Sequence, residues 1–459
     1  MFKEDFLFGA SLSGFQFEMG GKESDKNTDW YVWSMDELNA LNGVVSGDSP
    51  ENGPNYWENY GTFHNLAINA GMNALRIGLE WSRIFPGETF GKDTSDLRSI
   101  ADMDAIEHYK RIMTDIKGHG MKLIVNLNHF TLPLWAHDPL AVNRKTDLTR
   151  PGWVDDRLPD EFAKYAAFVV EQFDDLVDYW STMTEPNIVA NLGYLFTKAG
   201  FPPSIIVPNL LHKVMGNLIK AHNRGYKAMK KKTEKPIGII YATVWFNGDD
   251  SAKEAFEYSN YRFLDAVKDD CDFIGVNYYT RSVVRRRQKP VIVGDAEIRW
   301  ENLRGYGYAC TPNGRSRDGR FVTDNGWEFY PEGLEKVLRA LHRRYNKTLY
   351  IMENGVADAF DVYRAFYLLA HLNVVERLQE ECDIRGYFHW SLTDNFEWAQ
   401  GFSKQFGLVY VDFEKKTYIP RPSYYLFREI GKERSVTHFK GLLDLLEGDN
   451  RDRLCQMQG

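Results

Sequence analysis

The sequence predicts an α/β chain folded as a single (β/α)8 TIM barrel with extended loops at its C-terminal face. Three observations predict it. Eight short apolar, β-rich runs recur along the 459 residues. Segments of helical period lie between most of them. Polar residues gather just where the apolar runs end. Strands alternating with helices make right-handed βαβ units and a parallel sheet, and eight such units close on themselves.

The runs are Phe6–Leu12, Asn73–Leu79, Lys122–Asn128, Val177–Met183, Ile237–Thr243, Asp272–Tyr278, Thr348–Met352 and Arg385–Trp390. The clearest helix covers Glu161–Leu176, where Phe162, Tyr165, Ala166, Val169, Val170 and Phe173 recur at helical spacing. Trp57–Ala70, Met103–Gly118, Leu210–Lys231, Glu254–Val267 and Pro331–Tyr345 show the same period. The stretch from Val283 to Trp327 is rich in Gly, Arg and Asn and reads as a long loop after the sixth strand. No Pro/Ser-rich linker divides the chain, so residues 1–459 are expected to form one catalytic domain. A doubly wound open sheet is the competing fold; no GxGxxG follows an early strand to support it.

A formal charge of −8 argues against nucleic acid as a partner, and the short basic runs Arg285-Arg286-Arg287 and Lys230-Lys231-Lys232 read as solvated faces. Cys271, Cys310, Cys382 and Cys455 form no CxxC pair, which predicts neither a zinc site nor a disulfide framework. No signal-peptide-like stretch and no membrane-length apolar run is present, so a cytoplasmic, reducing setting is expected.

The chemistry lies at the run ends. Gln16 and Glu18 follow the first run, and Arg76 lies in the second. Asn126, Asn128 and His129 end the third; Glu185 and Asn187 follow the fourth. Asn277 and Tyr279 end the sixth, Glu353 the seventh, and Trp390 the eighth, with Glu397 and Trp398 close behind. On a barrel these residues converge on one face. A single such Glu is more often an ion-paired surface group, and a lone His129 a satisfied core histidine. Their convergence is what points to a site.

Two glutamates on one crevice suit glycosidic cleavage, one as proton donor and one as nucleophile or base. Carboxyls about 5 Å apart would mean a retaining reaction through a covalent glycosyl-enzyme. Glu353 would then stay ionised, with Arg76 and the Tyr279 hydroxyl as partners that favour its charge. Glu185 would be protonated at rest in less positive, partly apolar surroundings. Trp135, Trp390, Trp398 and Phe406 offer flat faces for a pyranose. Gln16, His129, Asn277 and Glu397 offer donors and acceptors for its hydroxyls.

These motifs are ordered along nearly the whole chain: Gly14-Phe15-Gln16-Phe17-Glu18-Met19-Gly20, Thr28-Asp29-Trp30, Val45-Ser46-Gly47-Asp48-Ser49-Pro50-Glu51-Asn52-Gly53-Pro54, Glu80-Trp81-Ser82-Arg83-Ile84-Phe85-Pro86, Asn128-His129-Phe130, Gly275-Val276-Asn277-Tyr278-Tyr279-Thr280-Arg281, Glu353-Asn354-Gly355 and the segment from Trp390 to Trp398. With them the chain resembles glycoside hydrolase family 1, and within it the archaeal β-glycosidases. The resemblance implies a (β/α)8 barrel and retaining hydrolysis of β-linked glucosides, galactosides or related sugars. It implies Glu185 as acid/base, Glu353 as nucleophile, and Arg76 and Tyr279 as supports of the nucleophile. Gln16, His129, Glu397 and Trp398 would hold the glycone, with Trp390 as its platform. No metal or organic cofactor is implied.

The chain departs from the family pattern in three places. Thr184 stands where the family has the Asn that contacts the sugar 2-hydroxyl. Phe130 stands where many members have Trp. The segments after Pro86 and around Asn247–Val267 are shorter than in the archaeal members, where such segments take part in assembly, which leaves a homo-oligomer open. Two rival readings remain. Thr184 suggests a catalytically weakened glycan-binding relative. A 6-phospho-β-glycosidase would want a small polar residue, a Lys and a Tyr where this chain has Glu397, Lys404 and Phe406. Only Lys404 fits, and a carboxylate at 397 would repel a phosphate. The residues do not rank gluco, galacto, manno and fuco glycones.

Overall fold

The structure is a computed structural model that describes residues 1–447; Cys455 lies outside them. Nine strands form the main sheet: β1 (Leu7–Ser11), β2 (Ala74–Gly78), β3 (Lys122–Asn126), β4 (Tyr179–Thr184), β5 (Ile237–Gly248), β6 (Phe273–Val293), β7 (Ala296–Asn302), β8 (Thr348–Asn354) and β9 (Ile384–His389). Eight are parallel and close a ring in the order β1-β2-β3-β4-β5-β6-β8-β9, with β9 pairing back onto β1. All eight expected strands are members of that ring.

The stretch read as a long loop begins with a hairpin. β6 runs on to Val293 and returns as β7, pairing antiparallel through Val293↔Ala296 and Val291↔Ile298. The two-residue turn Gly294-Asp295 joins them, with Gly294 at φ 61°. Gly-Asp after a β-branched run, here Val291-Ile292-Val293, is a hairpin signal, masked by the surrounding Arg and Lys. The basic run Arg285-Arg286-Arg287 lies on this hairpin and pairs with Glu301 and Glu254.

The helices Tyr56–Asn69, Met103–Gly118, Leu158–Phe173, Pro208–Lys230 and Pro331–Tyr345 match the helical periods to within a few residues. Glu254–Val267 does not form one regular helix. A wider π turn over Glu257–Tyr261 separates Ser251–Phe256 from Arg262–Val267. Asn260, in that turn, accepts from the Val244 N–H at 3.0 Å and donates to the Val244 carbonyl at 2.9 Å. It thereby pairs with β5 where the register slips between Thr243 and Trp245. Among the described residues no helix is long and apolar enough to cross a membrane.

The alternation of each strand sorts its residues between two cores. Phe8 and Ala10, Leu75 and Ile77, Leu123 and Val125, Ile239 and Tyr241, and Ile274 and Val276 join the large cluster under the helices. The opposite positions Leu7, Ala74, Ile124, Ile240, Phe273, Tyr350, Met352 and Phe388 form a separate buried cluster that fills the ring. Glycines make room for its large members. A Cβ on Gly238 would stand 2.4 Å from the Phe273 ring, and one on Gly9 2.6 Å from that of Phe388. This apolar plug is the floor on which the polar end of the ring rests. Phe388→Ala should empty part of it and lower unfolding stability by about 3–5 kcal/mol, read as a lower denaturant midpoint at unchanged slope.

Candidate active site

Above the plug the inward positions turn polar. On β2 the position after Ala74 on the same face is Arg76; on β3, Asn126 follows Ile124; on β6, Asn277 and Tyr279 follow Phe273 and Gly275. Arg76, Asn126 and Asn277 are almost fully buried.

The two glutamates reach this layer by irregularities of the backbone. On β8, strict alternation would place Glu353 outside with Leu349 and Ile351, both in the outer core. The register slips between Ile351 and Asn354 against β9, and between Val276 and Asn277 against β6. That irregularity turns Glu353 inward after Met352. Asn354 points outward and is held there by the Tyr278 carbonyl at 2.7 Å and the Tyr387 hydroxyl at 2.8 Å. At the end of β4 the register slips between Ser181 and Thr184. Glu185 then takes a left-handed conformation, φ 51°, at the start of helix Pro186–Tyr194. That region is unfavourable for a residue with a Cβ, and its occupation here aims the carboxyl at the crevice instead of along the helix.

The side chains meet as follows. Arg76 Nη1 donates to Glu353 Oε1 at 2.5 Å, and the Tyr279 hydroxyl donates to Glu353 Oε2 at 2.9 Å. Arg76 Nη2 donates to Thr184 Oγ1 at 2.5 Å and faces His129 Nδ1 at 3.0 Å. Glu185 Oε1 accepts from Asn277 Nδ2 at 2.8 Å. Gln16 Nε2 lies 3.4 Å from Glu397 Oε2 and 3.0 Å from Asn395 Oδ1. The His129 ring sits 5.8 Å from that of Trp390 and 5.7 Å from that of Trp398. Phe406 is buried and packs on Tyr279 at 6.2 Å.

Some expected participants are elsewhere. Trp135 is not at the mouth: its indole donates to the Phe85 carbonyl at 3.0 Å and packs on Trp81 and Phe90. Glu18 is engaged by Arg83 at 2.7 Å and Tyr109 at 2.9 Å. The Asn128 amide donates to the Thr131 carbonyl at 2.8 Å. Two aromatics went unread because they lie in the stretch taken for loop. Trp327 packs on Tyr279 at 5.2 Å, and Tyr308 packs on Trp327 at 5.1 Å. Asn395 was also missed, although it stands between two residues already singled out. Among the described residues no group of three or more His, Cys, Asp or Glu side chains could hold a metal ion.

A family model described as Glycosyl hydrolase family 1 matches residues 1–267 and 247–436. The β-galactosidase of Saccharolobus solfataricus is 43% identical over 479 residues, covering 95% of this chain and 96% of that protein. The crystal structure of Fpglu1 from Fervidobacterium pennivoraus superposes with a TM-score of 0.94 at 52% identity, over 96% of this chain and 98% of that one. The hyperthermophilic β-glucosidase of Pyrococcus furiosus does so with 0.90 at 44%, over 95% and 96%. The chain belongs to glycosyl hydrolase family 1.

Burial raises two carboxyls of this family 1 glycosidase. Burial, then the charge of Glu353, pushes Glu185 up to about 8, opposed by the Asn277 hydrogen bond and by Arg76. Glu397 also rises to about 8 through burial and Glu353, opposed by hydrogen bonds from Trp390 and Gln16. Burial and the neighbouring Arg76 hold His129 well below its ordinary value. Its ring is therefore neutral, and with Nδ1 accepting from Arg76 the proton sits on Nε2. Burial and the Glu353 charge raise the Tyr279 hydroxyl, which stays protonated and donates.

A stability test follows from Glu185. A carboxyl whose folded value lies above its unfolded one binds its proton more tightly when folded, so its contribution is full below the unfolded value. That contribution is lost as pH rises from 4.5 toward about 8. The amide in Glu185→Gln does not titrate. The variant should therefore gain stability relative to the parent across that window, read as a pH series of denaturant midpoints. A constant difference would show that the fold does not raise Glu185.

Proposed function

We propose that this chain is a retaining β-glycosidase, acting on terminal non-reducing β-D-glucosides, β-D-galactosides and related sugars. The eight-stranded ring is read as a (β/α)8 TIM barrel within one catalytic domain. The asymmetry of the two carboxyls carries the proposal. Glu353 accepts from a guanidinium and a phenol, whereas Glu185 accepts from a neutral amide and is pushed up to about 8. One is equipped to remain an anion and the other to hold a proton, the division a double displacement needs.

The reaction then runs in two steps. Glu353 attacks the anomeric carbon as Glu185 gives its proton to the glycosidic oxygen, and the aglycone leaves as an alcohol. Glu185, now ionised, takes a proton from water; the water oxygen bonds to the anomeric carbon and Glu353 departs as a carboxylate. Arg76 and Tyr279 hydrogen-bond the Glu353 carboxyl in the free enzyme and receive it again at the end. Gln16, His129, Asn277 and Glu397 are read as contacts to the sugar hydroxyls, with Trp390, Trp398 and Phe406 as the apolar wall. The relatives named β-galactosidase and β-glucosidase support both glycones. A neutral sugar is favoured over a phosphorylated one: Lys404 donates to the Asp324 carbonyl at 2.9 Å, and Glu397 carries no cation partner among its hydrogen bonds.

Glu353→Ala should lower kcat on an aryl β-glucoside by about 10³-fold or more. Added azide should restore part of it and give the glycosyl azide of inverted configuration. Near-normal turnover without azide would end the assignment.

Thr184 sets the expected efficiency. Its hydroxyl is committed to Arg76 and is fully buried, so it offers no amide to the sugar 2-hydroxyl. Contacts there strengthen toward the oxocarbenium-like transition state. Thr184→Asn could keep the Arg76 bond through its carbonyl oxygen and present a new N–H. It should raise kcat/KM on an aryl β-glucoside about tenfold or more, or about 1.4 kcal/mol, and change the 2-deoxy analogue much less. Identical rates on the 2-hydroxy substrate would remove Thr184 as a limit.

A further inference from the structure

Glu80 lies just beyond the end of β2, is 1% exposed, and has no role in the proposed chemistry. Its two carboxyl oxygens join two segments far apart in sequence. Oε1 accepts from the Phe15 N–H at 2.7 Å, and Oε2 accepts from the Thr131 hydroxyl at 2.6 Å. Its own N–H donates to the Tyr109 hydroxyl at 3.0 Å. Gly14 lets the carboxyl in, since a Cβ there would stand 2.3 Å from Oε1.

Both arms lead into the sugar-binding wall. On one arm, Phe15 stacks on Trp398 at 6.0 Å and an interplanar angle of 8°. The next residue is Gln16, whose amide reaches the Phe396 carbonyl at 3.0 Å and Glu397 at 3.4 Å. On the other, the Thr131 N–H donates to the His129 carbonyl at 2.9 Å. The Thr131 carbonyl also accepts from Asn128 at 2.8 Å. One carboxyl thus spans the Gln16 side and the His129 side.

We propose that Glu80, acting with Thr131, is a positioning residue that sets the spacing between Gln16 and His129 and so decides which sugar hydroxyls are recognised. The proposal rests on the reading that Gln16 and His129 hold the glycone. A joint made only for packing would not need a buried carboxyl, which is costly to remove from water. A carboxyl fixes both distance and direction to its two donors, which apolar contact does not. Misplacement by about 1 Å far from the reacting atoms can cost about a hundredfold in rate.

The test measures kcat/KM on an aryl β-glucoside and on its 3-, 4- and 6-deoxy analogues. Thr131→Val removes the hydroxyl at nearly constant volume, and Glu80→Met removes both acceptors at similar length. Each should lower the parent substrate about fivefold or more while changing at least one deoxy analogue by less than about twofold, the signature of a coupled contact. Thr131→Ser, which keeps the hydroxyl, should stay within about twofold of the parent enzyme. A loss equal across all four sugars, or no loss, overturns the proposal. Gln16→Ala and His129→Ala separate the two readings. If these variants discriminate among the deoxy sugars and Thr131→Val does not, the clasp alone fails. If they do not discriminate, the glycone assignment fails and the clasp with it.

Discussion

The polar end of this protein depends on one buried ion pair, Arg76 with Glu353. The guanidinium is fully buried and the carboxylate nearly so. Removing two such ions from water is expensive and is recovered only by close, well-directed partners. Arg76 supplies them by using both terminal nitrogens: one on Glu353, the other shared by Thr184 and His129. Residues from β2, β4, β8 and the segment after β3 are thereby fixed around one charge.

The same pair governs the neighbouring titrations. Glu185 and Glu397 lie close enough to Glu353 for its charge to raise both. With Arg76 bonded to Glu353, the anion has its partner and the other two carboxyls are disfavoured as anions in a site that also desolvates them. A neutral His129 follows from burial and from the same guanidinium. The proposed division of labour between donor and nucleophile thus rests on the burial of Glu185 and on Arg76 bonding Glu353 instead of Glu185. The replacement at Thr184 leaves that direction intact because a threonine hydroxyl accepts from Arg76.

Below the site, rigidity comes from filling the ring. The aromatic and aliphatic plug closes its lower end, with glycines on facing strands admitting the rings of Phe273 and Phe388. Interiors packed this closely transmit displacement instead of absorbing it. The clasp at Glu80 and the aromatics Tyr308 and Trp327, which follow the β6–β7 hairpin, belong to the loops above, where specificity can vary without disturbing the plug.

The sequence by itself determined the eight strands, most of the helices and the family, because alternation and helical period are local and the motifs are contiguous. It also determined which polar residues end the strands, and hence that Glu185, Glu353, Arg76, Tyr279, His129 and Gln16 share one face. Only the tertiary structure decided how they meet. Strict alternation sends Glu353 outward, and the register slips against β6 and β9 that turn it inward depend on pairing between strands. The left-handed backbone at Glu185 is imposed by the helix and strand it joins. Trp135 and Glu18 looked equally eligible and are packed elsewhere, while Trp327 and Tyr308 lay hidden in a stretch whose charges disguised a hairpin. The joint that Glu80 makes between residues 15 and 131 has no local signature, because neither a backbone N–H nor a hydroxyl records its partner in the sequence.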